Sequence, residues 1–307
     1  MGLFSWLSSI CPLRQKANPP PTPPLPVSTA PLKAGVYLNP WMESPTTLAA
    51  LPDLRPGVLR INYPAFPLMA ANVNAAEAAR LVGLIENQIR WARSMSVPLI
   101  VTTLGTRAPA TTDNIISNVD MVAAYYAGVA KQFPGCAFEI GNEAEIRSGG
   151  GDAPLIPSAY AAVFEVHARA IRAADPYARI VTAGTSGFAV PWIRDVLALT
   201  NPDAVGVHPY GTPPQAYASA VAQIGTKIPV WFTEWGLENI SPQQVTDYYA
   251  YARGVVPVAV LFCLSDLSAE LGSIAGNRET HQPFGLIDAY GNRRPSYGAA
   301  KAAFARP

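Results

Sequence analysis

From Ala34 onward, short apolar runs alternate with stretches whose apolar positions recur every three or four residues. The runs are AGVYL, VLRIN, PLIVTTL, AFEIG, RIVTAG, AVGVH, PVWFTE and VAVLFCL. Most are almost continuously apolar, as parallel strands become when helices cover one side and a core fills the other. Between them, Val82, Ile85, Ile89 and Ala92 fall on one face of a helix. Ser241-Pro242-Gln243-Gln244 supplies an N-cap, a first-turn proline and a capping-box glutamine. Ser44-Pro45 opens a shorter helix in the same way, and a last helix is predicted from Ser296 to Phe304. Strand–helix alternation repeated eight times predicts an α/β fold, a single (β/α)8 TIM barrel over residues 34–307. A doubly wound sheet would want a glycine-rich phosphate turn after an early strand, and neither AGVYLNP nor VLRINYP has one.

Residues 1–33 fall outside this pattern. NPPPTPPLPVSTAP predicts an extended spacer, because stacked prolines fix φ and remove donors. Met1–Leu13 is apolar, but Arg14 and Lys16 follow it rather than precede it, so it does not read as an ordinary export signal. Trp6 stands where a myristoylation motif wants Ser or Thr. The segment reads as a disordered tail, or as a surface tether through residues 1–30 in which Leu3, Phe4, Trp6 and Leu7 grip a membrane or partner.

Composition narrows the function. The 307 residues carry 22 basic and 21 acidic side chains, a formal charge of +1, which predicts no nucleic-acid partner. With 50% hydrophobic and 14% charged residues, the chain is globular over most of its length, and no run is long enough for a transmembrane helix. Cys11, Cys136 and Cys263 form no CxxC pair, and His167, His208 and His281 lack metal-ligand spacing. We therefore expect no metal and no cofactor. Cys136 and Cys263 are expected as small buried hydrophobes, His167 as a structural histidine, and Ser148–Asp152 and the stretch around His281 as loops.

In a chain this poor in charge, an ionisable residue at the end of an apolar strand needs a reason. A barrel places its chemistry at the C-terminal strand ends. There the sequence offers Arg60 and Asn62, then Asn142 and Glu143, then His208 and Tyr210, and lastly Glu234. Counting by twos, an inward Glu234 predicts Phe232 and Val230 inward, with Trp231 and Thr233 toward the helices. An inward Glu143 likewise predicts Gly141 and Glu139 inward, and a buried Glu139 needs a partner, for which Arg60 is available. Glu143 and Glu234 lie three βα steps apart, so they face each other across the mouth. Glycoside hydrolysis asks for such a pair, one carboxyl to protonate the leaving oxygen and one to meet the anomeric carbon.

FEIGNEAE, VGVHPYG and VWFTEWG, with the closing FGLIDAYGNRRPSYGAAKAAF, resemble clan A of the glycoside hydrolases, the 4/7 superfamily, in order and spacing from Ala34 to the C-terminus. The resemblance implies a retaining β-glycosidase with Glu143 as acid/base and Glu234 as nucleophile. Asn142 would bind the 2-hydroxyl of the sugar at the cleavage site. Arg60 would support the nucleophile, Tyr210 would donate a hydrogen bond to it, and His208 matches the neighbouring strand-6 histidine. Glu143 would sit away from cations. One departure is evident: clan members commonly end strand 8 with a tryptophan that floors the sugar site, whereas this strand reads VLFCLSD. Phe262, Trp41 or Trp235 would have to supply that platform, with Tyr37, Tyr63 and Phe66 as further aromatics near the mouth.

The expected partner is a β-linked oligo- or polysaccharide and the expected state a monomer, with extracellular or cell-envelope glycan as the usual setting of such enzymes. A non-catalytic carbohydrate-binding barrel, or a transglycosylase using the same residues, remains open at this point.

Overall fold

The structure is a computed structural model, and it describes residues 30–38, 45–65, 75–104, 112–146, 154–266 and 283–306. Eight parallel strands close into a barrel in sequence order. In the first half, β1 (Lys33–Leu38) is followed by the short helices α1 (Pro45–Leu48) and α2 (Leu51–Leu54). Next come β2 (Val58–Pro64), α3 (Ala75–Ser94), β3 (Leu99–Leu104), α4 (Thr112–Ser117), α5 (Val119–Gln132) and β4 (Ala137–Asn142). The second half runs α6 (Pro157–Ala174), β5 (Arg179–Ser186), α7 (Val190–Leu197), β6 (Val205–His208) and α8 (Tyr217–Ile224). It ends with β7 (Val230–Phe232), α9 (Pro242–Ala252), β8 (Val258–Leu261) and α10 (Pro295–Phe304). Closure is made by β1 against β8, with Gly35 beside Val260.

All eight predicted strands are present. Ile85, Ile89 and Ala92 are buried along one face of α3, and Val82 packs beside them. The capping box of α9 is complete: Gln244 N–H donates to Ser241 Oγ at 3.2 Å, and Ser241 N–H donates to Gln244 Oε1 at 2.9 Å. Pro45 begins α1 as expected, while Ser44 lies outside the described residues.

Two apolar layers form. The outer one packs helices on the barrel and carries most of the burial, including Phe138, Phe164, Phe232 and Tyr248. The inner one fills the barrel axis with Val58, Ile100, Ala137, Val181, Trp231 and Val258. Tyrosine hydroxyls pin the layers together. Tyr160 donates to the Ile140 carbonyl at 2.8 Å and accepts from the Ala183 N–H at 2.6 Å, while Tyr249 donates to the Gly35 carbonyl at 2.7 Å.

Strand 7 faces the opposite way from the two-residue count. Phe232 points outward, 4.8 Å from the Tyr217 ring and 5.9 Å from Phe188, and Val230 joins the same outer layer. Trp231 belongs to the inner layer, and Thr233 lies beside His208 at the axis. The reason is that β7 stops at Phe232, so Glu234 leaves the strand before it reaches the mouth and strand parity does not carry over. Gly141 also breaks parity: at φ 87° its missing side chain would point at Ala183 and Tyr160, in the outer layer.

The outward Phe232 gives a direct test. Phe232→Ala is expected to lower stability by about 3–5 kcal/mol in urea unfolding, the cost of deleting a fully buried aromatic.

Candidate active site

The site is built on one buried cation. Arg60, on the inner face of β2, has no exposed surface. Its Nε donates to Glu139 Oε2 at 2.7 Å, its Nη1 to Glu234 Oε2 at 2.6 Å and its Nη2 to Asn142 Oδ1 at 2.8 Å. A guanidinium offers donors in a fixed planar fork, so these three bonds set the relative positions of β2, β4 and the segment after β7. Tyr37 lies under the same group, 5.4 Å from Arg60 Cζ to the ring centre. Burial opposes the charge on Arg60, but Glu139 and Glu234 outweigh it and hold its pKa above the ordinary value.

Glu139 is the buried counter-charge. It also accepts from Thr102 Oγ1 at 2.7 Å. Burial works against its ionised form, yet Arg60 first, then His208 and Thr233, bring its pKa down to about 2. Its pairing with Arg60 was the arrangement expected from sequence; Thr102 and Thr233 were not anticipated, because nothing local marks a threonine as a carboxylate donor.

Glu234 accepts a second bond, from the Tyr210 hydroxyl at 2.9 Å. Glu143 follows β4 with φ 46°, a left-handed conformation unusual for a residue with a side chain, and its N–H donates to the Gly184 carbonyl at 2.9 Å. With Gly141 also left-handed, the backbone turns at the rim and both Asn142 and Glu143 reach the mouth. Glu143 is not remote from cations, contrary to the expectation above. His208 Nδ1 lies 3.3 Å from its Oε1, and His208 Nε2 lies 3.9 Å from Glu139 Oε1. Burial disfavours charge on His208, but Glu234, Glu139 and Glu143 overcome it and raise its pKa to about 9. The two candidate carboxylates are therefore joined through buried groups: Glu143 to His208, His208 beside Glu139, Glu139 to Arg60, and Arg60 to Glu234.

Room for this chain comes from Gly184. A Cβ there would stand 2.1 Å from His208 Nε2 and 2.7 Å from Thr233 Oγ1, so no side chain fits. A further carboxylate, Glu145, accepts from the Ser186 N–H behind Glu143; burial raises its pKa. The NEAE spacing was the only hint of it.

The aromatic candidates divide. Phe262 is half-buried at the inner layer, 4.9 Å from the Tyr37 ring and 5.6 Å from Phe284. Trp235 is not at the mouth: its ring is buried in the outer layer and stacked on Tyr248 of α9 at 4.2 Å. Tyr63 is buried in the outer layer, where its carbonyl accepts from Tyr126. Trp41, Phe66, residues 1–29, the Ser148–Asp152 loop and His281 lie outside the described residues. His167 is buried on α6, with its pKa lowered to about 4 by desolvation, and Cys136 and Cys263 are buried thiols. Among the described residues, no group of three or more His, Cys, Asp and Glu is placed to hold a metal ion.

Comparison with solved structures finds the same barrel in several glycoside hydrolases. A GH5_18 structure from Streptomyces cattleya, in complex with GlcNAc, superposes with a TM-score of 0.67 at 16% identity, covering 89% of this chain and 80% of that one. A GH39 β-xylosidase from Caulobacter crescentus gives 0.64 at 16%, covering 89% and 71%. A GH39 enzyme from Xanthomonas axonopodis pv. citri gives 0.61 at 17%, covering 89% of this chain but only 66% of its own. The fold is the one these enzymes share. No protein-family model and no curated protein matches the sequence.

The charges that hold the site give it a pH window. His208, raised from 6.5 to about 9, contributes stability that is complete below pH 6.5 and lost as pH rises through 9. Glu139, lowered from 4.5 to about 2, contributes stability that is complete above pH 4.5 and lost as pH falls toward 2. The thermal midpoint is expected to be highest between pH 4.5 and 6.5, and His208→Asn should flatten the alkaline limb and, because His208 also helps keep Glu139 ionised, weaken the acid limb in a pH series of melts. Gly184→Ala should destabilise the fold by about 1–3 kcal/mol, the cost of overpacking, read by the same melts.

Proposed function

We propose that the protein is a glycoside hydrolase that cleaves β-glycosidic bonds with retention of configuration. The observation that carries this reading is the single guanidinium of Arg60, which gathers Glu234, Asn142 and Glu139 at the end of the barrel where Glu143 also stands. The fold shared with GH39 and GH5 enzymes supports it.

In this reading Glu234, ionised and held by Arg60 and Tyr210, attacks the anomeric carbon while Glu143 gives its proton to the departing oxygen. One C–O bond forms to Glu234 and the glycosidic C–O bond breaks. Glu143, now a carboxylate, takes a proton from water as that water displaces Glu234, which returns to its starting state. His208 stands beside Glu143, the carboxyl that the second half-reaction uses as base. Esterification of Glu234 removes one of the charges that keep His208 protonated, so the two halves of the site respond to each other.

Asn142 has a defined orientation here. Its Oδ1 accepts from Arg60, so its amide N–H groups are free to turn toward the mouth and donate to a sugar hydroxyl. Phe262 supplies the apolar surface beneath the sugar in place of the tryptophan usual to the clan.

Removing the nucleophile and the acid separates this reading from a binding-only barrel. Glu234→Gln is expected to abolish turnover of an activated aryl β-glycoside. Glu143→Ala should slow it by about 10²–10⁴-fold, with azide restoring part of the rate as a β-glycosyl azide. The first product seen by proton NMR should be the β-anomer. A wild type inert across a panel of β-glycans, whose sugar binding survives both substitutions, would favour the scaffold instead.

A further inference from the structure

A cavity of about 1100 Å³ opens at the pole opposite Glu143 and Glu234. It is framed by the first residues of the strands, among them Lys33, Val58, Ala137, Arg179 and Val230, and Trp231 of the inner layer forms part of its floor. Four exposed cations stand on its rim, Lys33, Arg93, Arg179 and Lys227. Among the described residues the rim has one carboxylate, Asp203, and that group already accepts from Arg172 at 3.0 Å and from the Ile180 N–H at 2.7 Å. Arg93 donates to the Pro134 carbonyl, while Lys33, Arg179 and Lys227 make no ion pair among the described residues.

Folding accounts for only part of this charge. Arg93 lies in the last turn of α3, where a cation complements the helix dipole. Lys33 and Arg179 open strands and Lys227 precedes one, where no dipole asks for them. At the other pole Glu139, Glu143 and Glu234 face Arg60 and His208, whereas Lys33, Arg179 and Lys227 face no carboxylate partner among the described residues.

The charge sign selects the occupant. Ala30 and Pro31 line the cavity edge, and the sequence that precedes them, residues 1–29, contains Arg14 and Lys16 but no carboxylate to serve as a counter-charge. Their apolar residues Leu3, Phe4, Trp6 and Leu7 and the 87% exposed Tyr177 on the rim are side chains that favour a lipid headgroup boundary. Among the described residues no helix is long and apolar enough to cross a membrane. We propose that this pole docks on an anionic phospholipid bilayer, with cations over the phosphates and the mouth facing away from the lipid. The inference is independent of the glycosidase reading.

Co-sedimentation of the full chain with vesicles tests it. Binding is expected to phosphatidylcholine vesicles containing about 30% phosphatidylglycerol, not to phosphatidylcholine alone, and to fall away by about 0.5 M NaCl. Lys33→Glu/Arg179→Glu/Lys227→Glu should weaken binding by about a hundredfold, the product of three headgroup contacts of about fivefold each, with an unchanged thermal midpoint. If that variant does not fold, Arg179→Glu and Lys227→Glu singly should each cost about fivefold. Equal binding to both vesicle types, or full binding by the rim variants, overturns the proposal. So does loss confined to Arg14→Glu/Lys16→Glu, which would assign the contact to the tail alone.

Discussion

The structure turns on placing a permanent positive charge at the barrel axis. A buried guanidinium is tolerable only when its donors meet acceptors and its charge meets an opposite one, and removing one partner of such a pair costs about 3–5 kcal/mol. Arg60 meets that demand with Glu139, fully enclosed beside it, and uses its remaining donors on Glu234 and Asn142. The same bonds that make the charge bearable fix the geometry of the mouth. Structural requirement and chemical arrangement are here one set of contacts.

The network also explains why the neighbours are what they are. Arg60 cannot neutralise Glu139 and Glu234 together, since two carboxylates surround one guanidinium. His208, buried and held in its charged form up to about pH 9, restores the balance on the far side of Glu139. That in turn needs space at the axis, which Gly184 provides by having no side chain. Arg60, Glu139, His208 and Gly184 are therefore mutually conditional, although they come from four different strands.

The barrel was legible because its strands are uninterrupted apolar runs and its helices carry a clear three-to-four spacing. The ends of those runs also marked the charged residues of the mouth, since few charges occur elsewhere. Glu139 announced its need for a partner by sitting inside AFEIG. Other features depend on backbone that departs from the regular pattern. Strand parity counted back from Glu234 misplaces Trp231 and Phe232 because β7 ends early and Glu234 sits beyond it. Trp235 looked like a rim aromatic from its place after Glu234, but the turn sends it outward onto Tyr248. The roles of Thr102, Thr233 and Gly184 arise from contacts across strands, which no local pattern encodes.

The fork of Arg60 has a topological meaning as well. Its acceptors are divided between the two halves of the chain: Glu139 and Asn142 lie in the half containing β1 to β4, Glu234 in the half containing β5 to β8. Neither half alone could assemble the mouth, and the first half by itself would expose its guanidinium where Glu234 should be. The barrel is thus indivisible for an electrostatic reason in addition to its hydrogen-bonded seam, and the centre comes into being only at the moment the ring closes.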